Sequence, residues 1–263
     1  MDNSKKIGHS LRDAFGINPG DVVSIVGGGG KTTLMFALAR EISDGGEKVV
    51  TTTTTRIFEP AEKETFLIVE GDETKIETRL REALACHRHV TVATARLPGN
   101  KLKGIGPEVL DRIAALKLAP YIVNEADGSA RKPLKAPNAT EPIIPESTGI
   151  VIAVVGIDAL GKALNEENVF RAEIVSRLTG LPLGTPITEE AIAELVTNPE
   201  GIIKGSPAGA RIVPALNKVD LLPDTAAGES LAKIILAHGP QRITRVVLGQ
   251  FEKPDPVAKI IGN

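Results

Sequence analysis

The chain has 263 residues, 42% of them apolar and 24% charged, with a formal net charge of -2; at roughly 100–200 residues per domain this allows one large domain or two small ones. The charge balance gives no global footprint for nucleic acid or an anionic membrane, and 3% aromatics, with no Trp and one Tyr, give no stacking platform for single strands. A single cysteine, Cys86, excludes an internal disulfide and a cysteine-rich metal site, and fits a reducing cytoplasm.

Residues 1–6 lead into no apolar stretch, so no secretory leader is expected. No segment approaches the ~18 consecutive apolar residues of a membrane span. Residues 22–26 form the first apolar run, interrupted only by Ser24, and a helical pattern follows over 31–43 until Asp44-Gly45-Gly46 stops it. Strands are expected at 48–55, 66–70, 89–95, 121–125, 150–155, 211–216 and 243–248. Helices are expected at 74–86, 107–118, 169–178, 189–196 and 225–238, with Pro107 in a first turn. Continuous apolar strands separated by helices predict an α/β fold in three layers, a mostly parallel sheet flanked by helices. No linker or repeat interrupts residues 1–263, so a single domain is expected. Its long Gly-, Pro- and Lys-rich loops at 96–106, 128–148 and 198–209 are read as functional excursions.

The first strand runs into Gly27-Gly28-Gly29-Gly30-Lys31-Thr32-Thr33, and a helix follows. Glycines let the backbone fold tightly enough for its N–H groups to point at phosphate oxygens, and the helix N-terminus adds its dipole. Lys31 is expected to reach the β/γ-phosphates and the Thr32 hydroxyl to ligate Mg²⁺. The long G-x-x-x-x-G-K-[ST] spacing would need glycine where Ile25 stands; the short G-x-x-G-K-T-T form fits and resembles the phosphate loop of Mur-type peptide ligases. Both forms imply a P-loop fold.

Two further strand ends carry chemistry. Residues 121–125 end in Glu125-Ala126-Asp127-Gly128, where phosphoryl chemistry needs an acid to hold Mg²⁺ or orient water. Glu125 in an E-x-x-G pattern resembles the metal-insertion GTPases that mature urease and hydrogenase; Asp127 is the other candidate, and the sequence does not choose between them. Asn217-Lys218-Val219-Asp220 follows a buried strand and resembles the guanine-specificity motif of GTPases. Guanine presents adjacent N1–H and N2–H₂ donors that the Asp220 carboxylate can accept together. Asn217 is assigned to the base and neighbouring loops, and the Lys218 stem to the base plane. In the five threonines Thr51 to Thr55 a hydroxyl is expected to meet Mg²⁺ or the γ-phosphate, with Arg56 offsetting charge. Arg131, Lys132 and Lys135 are candidates to grip phosphate or an anionic substrate, with Lys101 and Lys103 in a similar loop. His9, His87, His89 and His238 have no metal-ligand spacing.

The segments V-G-G-G-G-K-T-T-L-M, T-T-T-T-T-R, E-A-D-G-S-A-R-K-P-L-K-A-P, G-I-D-A-L-G-K and N-K-V-D together resemble the YqeC family, over about residues 21–222. That family is described as accessory to selenium-dependent molybdenum hydroxylases. The resemblance implies a P-loop fold and a role in making or inserting a selenium-containing cofactor. It implies phosphate-binding positions at Gly27, Gly28, Gly29, Gly30, Lys31, Thr32 and Thr33, acidic positions at Glu125 and Asp127, and base contacts at Asn217, Lys218 and Asp220. The resulting expectation is a cytoplasmic, Mg²⁺-dependent nucleotide hydrolase, GTP favoured over ATP. Lys31, Glu125 and Asp127 are its catalytic set, Thr32, Glu125 and Asp127 its metal set, and a selenium-dependent molybdenum hydroxylase its client. The alternatives are an ATP-dependent ligase or kinase-like enzyme and a non-catalytic nucleotide-sensing adaptor.

Overall fold

Strands buried on both faces need apolar residues at every position, which is why the central ones read as unbroken runs. The computed structural model describes residues 9–262; residues 1–6, read above for a leader, lie outside the described residues. Strands β1 (Val22–Gly27), β2 (Val49–Thr53), β3 (Phe66–Val69), β4 (His89–Ala93), β5 (Tyr121–Glu125), β6 (Ile150–Gly156), β7 (Arg211–Asn217), β8 (Arg245–Gly249) and β9 (Val257–Gly262) form a nine-stranded sheet in the order β9-β8-β7-β6-β1-β5-β2-β4-β3. All neighbours are parallel except β8 and β9, which are antiparallel.

Alternate residues of β6 serve opposite cores. Ile150, Ile152 and Val154 pack with α1 (Leu11–Phe15) and α2 (Lys31–Asp44) on one face. Val151, Ala153 and Val155 pack on the other face with α5 (Ala172–Thr179), α6 (Glu189–Thr197) and α7 (Ala226–His238). Further along that second face, α3 (Glu73–Cys86) and α4 (Pro107–Ala115) cover Val50, Val90 and Ile122. The result is the expected three-layer α/β, P-loop-like arrangement, its core aliphatic. Burying each Val or Ile of β6 contributes about 1.5–3 kcal/mol as an upper estimate. Among the described residues no helix is long and apolar enough to cross a membrane.

The departures from expectation are short or edge elements. The expected loop at 96–106 contains Ala95–Leu97 and Lys101–Lys103, which join Arg56–Phe58 in a three-stranded antiparallel sheet. The expected helix at 169–178 starts only at Ala172, because Val169–Phe170 pairs in parallel with Leu134–Lys135. Edge strand β9 was not anticipated: its pattern is half exposed and follows a Pro-rich turn.

β1 lies between β5 and β6, neither of which follows it directly in the chain: β2–β5 lie to one side of it and β6–β9 to the other, so chain connections diverge there. Such a switch point opens a crevice at the carboxyl ends of the strands.

His89 illustrates how tightly the β2–β4 end is filled. Its ring nitrogens bond Thr51 Oγ1 and the Glu64 carbonyl, both at 2.9 Å, and burial pushes its pKa down to about 4. From an ordinary value of 6.5, the unfolded chain binds more protons between these limits. His89's contribution to stability is therefore complete above pH 6.5 and is lost as pH falls toward 4. Urea unfolding at pH 7 and pH 5 is expected to show a loss of no more than about 2 kcal/mol, with a shallower pH slope in His89→Asn.

Candidate functional site

The turn after β1 needs glycine. Gly27, Gly29 and Gly30 have φ of 97°, 78° and 121°, backbone that L side chains rarely adopt. The turn is also packed. Gly27 N–H donates to Asp127 Oδ2 (3.1 Å), Gly28 N–H to the Val154 carbonyl (2.9 Å) and Gly29 N–H to the Lys132 carbonyl (3.0 Å). The sequence aimed all these amides at phosphate; the structure commits three of them to holding the turn. What remains is the start of α2. Gly30 provides no side-chain cap, and the first helical hydrogen bond runs from Leu34 N–H to the Gly30 carbonyl. The N–H groups of residues 30–33 have no partner among the described residues, the ordinary anion-binding end of a helix.

This helix start opens on a cavity of about 1050 Å³ lined by Gly29, Gly30, Lys31, Thr32, Thr33 and Glu125, among others. Lys31 is only 3% exposed. Its Nζ donates to the Gly27 carbonyl (2.8 Å) and forms ion pairs with Asp127 (3.3 Å) and Glu125 (3.7 Å). Lys31 thus lies folded back along its own loop, at the cavity wall.

The two acids at the end of β5 have different surroundings. Glu125 Oε2 accepts a 2.7 Å hydrogen bond from Thr32 Oγ1. Burial pushes its pKa up, against the opposing pull of Lys31 and of the Thr32 hydrogen bond, while Asp127 adds to the rise. Asp127 is held between two lysines. Its Oδ2 meets Lys135 Nζ at 2.8 Å, and its buried Oδ1 has Lys31 as an ion pair but no hydrogen bond. Lys135 is fully buried and also bonds the Gly128 carbonyl (2.9 Å) and Glu141 (3.4 Å). Arg171 closes the chain on Glu141 at 2.8 Å. Burial would raise Glu141, but Lys135 and Arg171 outweigh it and hold the carboxyl below its usual range. The network alternates in sign from Glu125 through Lys31, Asp127, Lys135 and Glu141 to Arg171.

Among the described residues, no group of three or more His, Cys, Asp or Glu side chains is placed to hold a metal ion. The chemistry that fits Mg²⁺ here is the adjacent Thr32 hydroxyl and Glu125 carboxylate, hard oxygen donors in contact with each other at the edge of the cavity. Mg²⁺ ordinarily completes such a set with water and phosphate oxygens.

Asn217 is buried against the loop. Its Nδ2 donates to the Gly29 carbonyl (2.7 Å) and its Oδ1 accepts from Phe251 N–H (3.0 Å). The strand end that carries Asn217-Lys218-Val219-Asp220 therefore braces the glycine turn directly. Lys218 lines the cavity and bonds Asp158 Oδ2 at 3.0 Å. Asp220 lies in the 3₁₀ turn Val219–Leu221, outside the cavity lining and 3.6 Å from Lys253.

The threonine run divides. Thr51 bonds His89 and Thr91, Thr52 the Val92 carbonyl, and Thr53 the Glu125 carbonyl, so these hydroxyls are used inside the sheet. Thr54 and Thr55 reach the cavity wall, with Arg56. Of the basic loop, Lys135 turns inward and Lys132 bonds the Glu167 carbonyl; Arg131 lines the cavity. Glu141 and Arg171 were not anticipated, since charged residues in a Pro-rich loop and in the first turn of an expected helix read as solvated.

The family model described as YqeC protein matches residues 23–173, a span that includes the glycine turn, the acidic strand end and Lys135. A relative from Escherichia coli (strain K12), "Uncharacterized protein YqeC", is 32% identical over 242 residues, covering 92% of each chain.

Proposed function

The chain belongs to the YqeC family, and from that premise we propose that it is a Mg²⁺-dependent nucleotide-binding protein. It hydrolyses GTP in preference to ATP and serves as an accessory factor in maturing a selenium-dependent molybdenum hydroxylase. The accessory role rests on the family resemblance; the nucleotide chemistry rests on the site. The observation that carries it is the unpartnered helix start at residues 30–33, opening with Lys31 on a cavity of about 1050 Å³. The N–H groups of α2 would receive the phosphates, and Lys31 would leave the Gly27 carbonyl to meet them. Thr32 and Glu125 would hold Mg²⁺, which neutralises charge developing on the phosphate oxygens. Asp127 would position Lys31 and stay clear of the metal, because its other oxygen is committed to Lys135. The guanine preference is supported by Asn217 holding the base motif against the phosphate turn.

Titration with GTP, GDP, ATP and ADP, with and without Mg²⁺, tests this reading. Guanine nucleotides should bind at least tenfold tighter, and Asp220→Asn should erase the difference. Equal affinities with no effect of Asp220→Asn would remove guanine from the proposal. Lys31→Ala should weaken triphosphate binding by at least a hundredfold, and wild-type affinity retained in that variant would remove the loop. The breadth of the cavity beyond the loop favours a second reading, ATP-dependent transfer to a small acceptor; it predicts phosphate release only when an acceptor is supplied.

A further inference from the structure

The short strands Arg56–Phe58 and Lys101–Lys103 pair antiparallel, with Arg56 opposite Lys103 and Phe58 opposite Lys101. Side chains alternate along such a ribbon, so Ile57 and Leu102 turn inward and are buried, while Arg56, Phe58, Lys101 and Lys103 share the exposed face. All four line the cavity that the phosphate loop opens on. Arg131 joins them from the following loop, its guanidinium 4.4 Å from the centre of the Phe58 ring, with Lys101 Nζ at 5.3 Å. Arg131 and its neighbour Ala130 both have positive φ, 61° and 49°. Backbone of this kind in residues other than glycine concentrates at ligand sites.

Four cations thus line one side of the cavity, two of them against the Phe58 ring. Among the described residues none of Arg56, Lys101, Lys103 and Arg131 forms an ion pair with a carboxylate. The contrast is Arg96 on the neighbouring strand, which is bound by both oxygens of Glu59 at about 3.0 Å. Like charges directly opposite on a ribbon repel, and Arg56 faces Lys103. The ribbon cannot swing away, because Ile105 N–H and Gly104 N–H bond the Thr53 and Thr55 carbonyls at the end of β2. A ribbon-held set of cations without ion-pair partners, two of them backed by an aromatic ring, in a cavity of about 1050 Å³, just above the range of about 300–1,000 Å³ for single small ligands, has room and charge for a second anion.

We propose that this ribbon face is a subsite for a second, multiply anionic small molecule carrying phosphate or carboxylate groups, bound in the same cavity as the nucleotide. The proposal rests on the nucleotide reading only for the identity of that neighbour. Such a ligand would be the acceptor or cargo whose handling the nucleotide accompanies.

The test uses the full chain saturated with Mg²⁺ and a non-hydrolysable GTP analogue, titrated calorimetrically with inorganic phosphate and, separately, with tricarballylate. At least one probe should bind saturably, and the more tightly bound of the two identifies the anion class. Arg56→Gln/Lys103→Gln and Lys101→Gln/Arg131→Gln should each weaken that binding at least tenfold while nucleotide affinity changes by less than twofold. No saturable binding of either probe overturns the proposal, as does binding that the four substitutions leave unchanged. Variants that weaken the nucleotide tenfold with no probe binding also overturn it, since the cations then serve the nucleotide itself. Lys31→Ala protein without nucleotide separates the two readings: probe binding there, with no nucleotide binding by wild type, sinks the nucleotide reading and leaves the subsite standing. In low salt the Arg56→Gln/Lys103→Gln melting temperature should equal or exceed that of wild type; a lower one would mean these cations are held by bonds within the protein and would end the proposal.

Discussion

Asp127→Ala is expected to destabilise the protein by about 3–5 kcal/mol, read as a shift of the urea unfolding midpoint at constant slope. The residue is 1% exposed and neutralises two lysines that are themselves buried, Lys31 and Lys135. Alanine leaves the two ammonium groups their backbone carbonyls but only the more distant Glu125 and Glu141 as counter-charges, and it orphans the Gly27 N–H. Removing one partner of a buried pair costs more than the pair ever contributed, because the remaining charge is neither solvated nor matched. Asp127→Asn retains an acceptor for Gly27 and should lose less. Adding Lys135→Met to Asp127→Ala should restore part of the loss, since the two sites touch and their effects cannot be additive. A shift below about 1 kcal/mol for Asp127→Ala would show that water reaches this pair.

Gly29→Ala is the second large effect. At φ of 78° an L side chain is strained, and the added Cβ would fall on the backbone of Gly156 while lying 3.0 Å from the Pro133 carbonyl oxygen. Neither neighbour can give way easily: Gly156 N–H is itself bonded to Pro133 at 2.9 Å. Strain and overlap together are expected to cost about 3 kcal/mol or more. The same displacement would pull the Gly29 carbonyl off Asn217 and disturb the start of α2, so nucleotide affinity should fall with stability. Unfolding midpoints and nucleotide titrations on the same preparation check both. Gly46→Ala serves as the comparison, because it shares a positive φ of 89° but a Cβ there meets nothing within 4 Å.

The central strands were legible because burial on both faces leaves a signal in every residue, as in Ile150–Gly156. The ribbon of Arg56–Phe58 and Lys101–Lys103 was not, because three residues are too few to show a period, and lysines in a loop read as solvated. Glu125 and Asp127 were found together from the strand end that carries them. Which of them meets Thr32 depended on the course of the chain after the strand ends at Glu125: as i and i+2 the two would share a face in extended backbone, yet one meets the helix start and the other lies beneath the loop. Lys135 was misread for a deeper reason. A buried lysine carries no local mark; only the return of Leu134–Lys135 beneath the glycine turn, fixed by pairing with Val169–Phe170, brings it to Asp127. Thr51, Thr52 and Thr53 likewise look like active-site hydroxyls until their register against β4 and β5 is known.

The inward fold of Lys31 sets an entrance requirement. Any anion arriving at the helix start must compete with two carboxylates and a carbonyl for that ammonium group. A monovalent ion such as chloride offers one charge and no reach, so it cannot recover what the lysine gives up. A polyanion that spans the amides of α2 and Lys31 at once can. On the proposed reading, the pocket would therefore rank its visitors by valence.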